Sequence, residues 1–260
     1  MSARPSQQPD PRRVARRASY FFRSGRRSRG EVASFADRLA DLGSVAVIGG
    51  MLRDLSLAGN AGFRSDVDFV VDPGSIAEFE RLMAALGARR NRFGGYGIAL
   101  RRWRVDVWPL ERTWAAVAGH VEVRRPEDLL DATFFDWDAI LYICSTRSVT
   151  ARPDYFERLE RRVLEVNLEP NPNPVGNAVR AIRYARRWNA AFGPRLAHHI
   201  LRQARDHGWD TLARAERASF GTRVLATIDL EGLGRALRVA RDHGHARFEF
   251  ESPQEDLFSR

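Results

Sequence analysis

The sequence predicts an α+β head followed by an all-helical body. Three observations carry that expectation. Short β-branched runs alternate with helix-period segments as far as Cys144. From Pro174 onward only helical periodicity remains. The length, 260 residues with 44% apolar, is enough for a large buried core as one domain or two.

The elements follow in order. Residues 1–30 hold nine Arg and one acid, Asp10, for a net of +8, with Tyr20, Phe21 and Phe22 interrupting the charge. Rich also in Ser, Pro and Gly, the stretch reads as a basic flexible arm, an electrostatic tether to RNA or DNA with aromatics available for stacking. Val32, Phe35, Ala36, Leu39 and Leu42 then recur at helical spacing, and Gly43 stops the helix. Val45-Ala46-Val47-Ile48 is a buried-type strand closed by Gly49-Gly50. A helix is expected over 51–58, a loop over 59–62, and a strand over 67–71. Ser75 caps a helix running to Leu86, with Glu78 at the capping-box position. Residues 98–100 and 104–107 read as a strand pair, 127–131 as a short helix, and 139–144 as a strand. Helices are expected over 175–192, 194–207, 211–219, 222–228 and 233–243. The domain reading is an arm (1–30), a head (31–168), a neck and body (169–248) and a tail (249–260).

Composition narrows the function classes. A single cysteine, Cys144, excludes an internal disulfide framework and a Cys-rich zinc site, and reads as a small core residue. No apolar run is long enough for a membrane span, and no hydrophobic segment of a secretory signal is seen, so a cytoplasmic setting is expected. All 42 basic residues are Arg. A Schiff-base lysine or Walker-type Lys is therefore impossible. Any phosphate must be held by Arg, backbone N–H, hydroxyls or a metal. The six His show no metal-ligand spacing.

The chemistry-bearing stretch is Gly49-Gly50-Met51-Leu52-Arg53-Asp54, followed by Ser65-Asp66-Val67-Asp68-Phe69. On a strand, residues i and i+2 share a face, so Asp66 and Asp68 project together. Two close carboxylates repel unless a cation lies between them, and Mg²⁺ takes oxygen ligands. Asp106 is a third polar exception, within Trp103-Arg104-Val105-Asp106-Val107-Trp108. Three carboxylates on neighbouring strands suit a two-metal site. Gly49-Gly50 before a helix lets backbone approach a phosphate, and Arg53, one turn in, could reach a phosphate oxygen. On the later helix, Arg180, Arg183 and Arg187 share one face. Trp103 and Trp188 read as packing residues.

These residues resemble the polymerase-β-like nucleotidyltransferases, in particular the head and neck of class II tRNA CCA-adding enzymes and bacterial poly(A) polymerases. The resemblance spans roughly Val45 to Trp188. The head motif Gly-Gly-x-x-Arg-Asp, then Asp-x-Asp, is complete in Gly49, Gly50, Arg53, Asp54, Asp66 and Asp68, and Asp106 falls at the third acid. Asp136-Trp137-Asp138-Ala139-Ile140 is similar to part of the Arg-Arg-Asp-(Phe/Leu)-Thr-Ile-Asn-Ala-Leu segment, with Asp138 at the Asn and Ala132-Thr133-Phe134 replacing Arg-Arg-Asp. Arg180-Ala181-Ile182-Arg183-Tyr184-Ala185 resembles the neck helix. The Glu-Asp-x-x-Arg that reads bases in CCA addition is replaced at Asn173, Pro174 and Asn177.

The resemblance implies a Mg²⁺-dependent transfer of NMP from an NTP to an acceptor hydroxyl. Asp66, Asp68 and Asp106 would serve as catalytic acids and metal ligands. Gly49, Gly50, Arg53, Asp54, Asp138, Asn177, Arg180 and Arg183 would lie on the nucleotide. The expected acceptor is an RNA 3′ end, tRNA first, with altered nucleotide selection and no membrane partner. The alternatives are a transferase toxin or modifier acting on a protein or small molecule, and a non-catalytic RNA-binding protein on the same fold.

Overall fold

The computed structural model describes residues 10–23, 27–63, 65–91, 93–101 and 103–250. Two compact units result. One comprises Met1–Arg161 with Asn167–Pro172, the other Arg162–Val166 with Asn173–Arg260.

The first unit runs α1 (Pro11–Arg23), α2 (Arg27–Ala40), β1 (Gly43–Ile48), α3 (Gly50–Gly62), β2 (Val67–Pro73), α4 (Ile76–Ala85), β3 (Arg89–Arg90), β4 (Tyr96–Ala99), β5 (Arg104–Pro109), α5 (Trp114–Val117), β6 (Ile140–Ile143), β7 (Ser148–Ala151) and α6 (Tyr155–Arg161). Its seven strands form one mixed sheet in the order β3-β4-β5-β2-β1-β6-β7. Only β2 and β5 pair in parallel, while β1 runs antiparallel to both β2 and β6. On one face, Ala46 and Leu141 pack with Leu130, and Val70 packs with Leu110 and Leu129. These partners come from short 3₁₀ turns at Leu110–Arg112 and Pro126–Asp131. On the other face, Phe69 meets Phe22 and Phe35 from α1 and α2. Apolar residues at i and i+2 along β1 and β2 feed both layers, which is why these strands read as continuous apolar runs.

The basic arm needs correction. Residues 11–23 are a helix whose Val14, Ala18 and Phe21 are fully buried. Their spacing, i, i+4 and i+7, is one helical face. Phe21 stacks edge-on against Phe63 and Trp103, Phe22 lies parallel to Tyr142, and Ser19 hydrogen-bonds the Tyr142 hydroxyl at 3.0 Å. Arg17 donates to the Leu55 and Ser56 carbonyls, and Asn60 donates back to the Arg17 carbonyl at 3.1 Å. The helix is thus part of the head's core. Residues 27–30, also read as arm, open α2; residues 1–9 and 24–26 of the expected arm and 251–260 of the expected tail lie outside the described residues.

The second unit contains β8 (Val163–Leu164), α7 (Pro174–Trp188), β9 (Ala191–Phe192), α8 (Pro194–His207), α9 (Trp209–Phe220) and α10 (Leu230–His243). Asn173 caps α7 by accepting from the Gly176 N–H, with Pro174 at the first helical position. The expected helix over 175–192 ends early. Asn189 turns left-handed at φ 47°, and Ala191–Phe192 pairs in parallel with Val163–Leu164. That pairing carries residues 162–166 into this unit. The expected helix over 222–228 is a single 3₁₀ turn at Val224–Ala226.

A carboxylate row at one end of the sheet

The site is built where β1 ends and β2 and β5 begin. Strand register places Ile48 opposite Asp68, Asp68 beside Asp106, and Asp106 opposite Gly97. One row across four strands therefore reads Ile48, Asp68, Asp106, Gly97. The structure thus makes Asp68 and Asp106 immediate cross-strand neighbours. Asp66 lies two residues before Asp68, just ahead of β2. Burial raises the Asp106 pKa first, the negative charge of Asp66 raises it further, and Arg104 opposes both. The charge of Asp66 is thus felt at Asp106.

Gly97 was not singled out in the sequence, yet it shapes this row. A Cβ at that position would stand 3.2 Å from Asp106 Oδ1, tighter than ordinary contact. The glycine leaves open the space beside the carboxylate. Asp66, Asp68 and Asp106 themselves offer carboxylate oxygens, the chemistry that suits a hard divalent ion. Among the described residues, no group of three His, Cys, Asp or Glu is already gathered into a metal-holding cluster.

The Gly-Gly turn lies at the same sheet end. Gly49 follows Ile48, caps α3 and donates its N–H to the Ile140 carbonyl at 3.1 Å. Its φ of 76° and ψ of −124° fall outside the regions open to residues with a side chain.

Behind this turn lies a buried polar cluster. Arg53 is 1% exposed and Asp54 fully buried. Arg53 Nε and Nη2 donate to Asp54 Oδ1 at 3.2 and 3.0 Å, Nη1 donates to Asp138 Oδ1, and Nη2 also donates to Ser65 Oγ at 3.1 Å. Ser65 Oγ in turn donates to Asp54 Oδ2 at 2.8 Å. Arg53 was expected on a phosphate; the structure instead directs its guanidinium to two carboxylates and a hydroxyl. Asp54 and Asp138 are the other members of this cluster. The cluster ties α3, the start of β2 and the turn before β6 together around Gly49-Gly50. Ser65 is its fourth member.

The segment that stands in place of Arg-Arg-Asp brings no cation. Thr133 donates to the Phe135 carbonyl, and Asn167 donates to the Leu130 carbonyl at 2.7 Å and to Thr133 Oγ1 at 3.1 Å.

Asn177, Arg180 and Arg183 lie on α7, in the second unit. Asn177 is buried and Arg180 exposed. Arg183 was expected on the nucleotide, but its guanidinium donates to Glu216 Oε1 at 3.1 Å and to Thr222 Oγ1, and stacks 4.2 Å from the Phe220 ring centroid. Arg187 stacks over Trp188. Of the three arginines that share a helical face, Arg183 thus ties α7 to α9.

No family model matches the sequence, and no curated protein matches it. Solved structures do. The chain is similar to a CCA-adding enzyme in complex with ATP (17% identical, covering 88% of this chain and 51% of that one, TM-score 0.50). It is also similar to the Thermotoga maritima CCA-adding enzyme complexed with tRNA (15% identical, 86% and 53% covered, TM-score 0.53). The chain spans about half the length of these structures. The fold is that of a nucleotidyltransferase head with a helical body.

Proposed function

We propose that this chain transfers a nucleoside monophosphate from an NTP to the 3′ hydroxyl of an RNA, tRNA being the first candidate. The observation that carries this reading is the register pairing of Asp68 with Asp106 beside the gap left by Gly97, at the sheet end where Gly49-Gly50 turns into α3.

Asp66, Asp68 and Asp106 would hold Mg²⁺ through their carboxylate oxygens. A bound divalent ion supplies charge stabilisation for an in-line displacement at phosphorus and lowers the pKa of the attacking hydroxyl. The chain's own residues do the rest. Gly49 and Gly50 let the backbone approach the triphosphate, and the first N–H groups of α3 favour its negative charge. Arg53, Asp54, Ser65 and Asp138 hold that turn still from behind, so its geometry is set before substrate arrives. Asp106, its pKa raised by burial and by Asp66, would accept a hydrogen bond from the acceptor hydroxyl.

Changes around the base-reading positions support a nucleotide selection different from CCA addition. An acid–Arg template presents paired donors and acceptors with charge. Asn173, Pro174 and Asn177 offer only neutral amides and a ring without an N–H.

The test is incubation with each labelled NTP and total cellular RNA or protein, comparing the wild type with Asp66→Ala/Asp68→Ala. Label is expected in the RNA pool with the wild type alone. Equal incorporation by the double variant would overturn the transfer chemistry. Label in the protein pool would overturn the RNA acceptor.

A further inference from the structure

The basic N-terminal helix is mounted in a way that its sequence did not reveal. Its apolar face, Val14, Ala18 and Phe21, is fully buried against the head. Its opposite face shows Arg12, Arg16, Tyr20 and Arg23, spaced i, i+4, i+8 and i+11, and all four are exposed. Tyr20 is 50% exposed, and the Arg29 guanidinium lies 5.9 Å from its ring centroid.

Five arginines occur in the 13 residues of α1, with no acid among them. Asp10, just ahead of the helix, accepts the Arg13 backbone N–H at 2.9 Å, as a cap does. Burial lowers the Arg17 pKa first, and the charges of Arg13 and Arg16 lower it further. The helix therefore holds its positive charges together against their own repulsion. Packing of Phe21 and the Arg17 bonds to the Leu55 and Ser56 carbonyls provide the opposing force.

We propose that the outward ridge of α1, formed by Arg12, Arg16, Tyr20 and Arg23, is a binding surface for single-stranded RNA, with the guanidiniums on phosphates and Tyr20 stacked on a base. This rests on the RNA-acceptor reading and adds to it a contact remote in sequence from the carboxylate row. Three guanidiniums on one rigid face match a polyanion. The exposed ring among them supplies a stacking platform that accepts any base. An anionic membrane is the weaker fit. A helix lying on a bilayer inserts its apolar face, and here that face is already spent on the head's core.

The test measures RNA affinity of the full chain by fluorescence anisotropy across a salt series, without NTP. The outcome is then independent of whether nucleotidyl transfer occurs. Arg12→Gln/Arg16→Gln/Arg23→Gln removes three phosphate contacts. The slope of log affinity against log salt should become shallower by about 2, since each contact on a single strand contributes roughly 0.7. Tyr20→Ala should weaken unstructured RNA about 5- to 100-fold, leave the slope in place, and have little effect on duplex RNA. The matching Arg→Lys triple should keep the slope, which separates lost charge from lost folding. An unchanged slope in the Gln triple would overturn the proposal. So would a triple variant that loses affinity for phosphatidylserine vesicles while its RNA affinity stays whole.

Discussion

Arg53 shows how one residue's role depends on partners that a sequence does not display. As a cation one turn into a helix after Gly-Gly, it reads as a phosphate ligand. In the fold it is buried between Asp54 and Asp138, with Ser65 closing the cluster. Removing one member of a buried ion cluster leaves uncompensated charge. Arg53→Ala should therefore cost about 3–5 kcal/mol in urea unfolding. Asp138→Asn keeps an acceptor for Arg53 Nη1 and leaves the Asp54 pair intact, so it should cost less than about 1.5 kcal/mol, the scale of one ordinary hydrogen bond. Equal losses in the two variants would show that the cluster does not act as described. Gly49 gives a second residue-scale outcome. A Cβ there would meet Asp138 only at ordinary contact, 3.7 Å and beyond, so the penalty for Gly49→Ala is in the backbone alone. It should cost about 1–3 kcal/mol, the scale of strain at such a φ and ψ. Asp68 and Asp106 were legible because each is a polar exception in an apolar strand, and Asp66 because it stands two residues before Asp68. Gly97 and Ser65 were not, because their roles exist only across strands or across a cluster.

At the scale of elements, α1 and β1 mark the two extremes of legibility. β1 is a short apolar run ended by Gly-Gly, and local pattern alone delimits it. α1 carries its apolar residues at 14, 18 and 21, a true helical period, but five arginines in 13 residues mask it. What decides the matter is tertiary: Phe63, Trp103 and Tyr142, distant in sequence, provide the surface that the helix covers. A tail and a core helix differ sharply under truncation. Phe21→Ala should cost about 3–5 kcal/mol, as for other large buried aromatics, where a mobile arm would give no change. Urea unfolding followed by Trp103 and its neighbours reads the difference directly. The early stop of α7 has the same kind of cause. Periodicity alone carries the helix to Phe192, but pairing of Ala191–Phe192 with Val163–Leu164 claims its last residues for a strand.

At the scale of the whole molecule, Asp106 in the first unit and Glu216 in the second couple ionisation to stability with opposite sign. In the first unit, Asp106 has its pKa raised by burial and by Asp66. Its charged form destabilises the fold, so the cost is present at neutral pH and fades as pH falls and the carboxylate takes a proton. In the second unit, Glu216 is fully buried. Burial alone would raise its pKa. The N–H groups of Leu225 and Val224, the Thr222 hydroxyl and the Arg183 guanidinium, donating at 2.7 to 3.1 Å, outweigh that and lower it. Its stabilisation is present above the ordinary Glu range and is lost as pH falls through the lowered value. Asp106→Asn should therefore melt above the wild type at pH 7 without divalent ions, and Glu216→Gln below it. Both differences should shrink as pH falls, so that the variants approach the wild type from opposite sides. Each kcal/mol reads as roughly 2–4 °C in the larger first unit and roughly 4–8 °C in the smaller second unit. On the proposed metal-holding role of Asp66, Asp68 and Asp106, adding Mg²⁺ at pH 7 should raise the wild-type midpoint more than that of Asp106→Asn, because a bound ion would relieve a repulsion that the variant has in part lost. A Mg²⁺ response of the same size in Asp106→Asn would remove Asp106 from the metal-holding set.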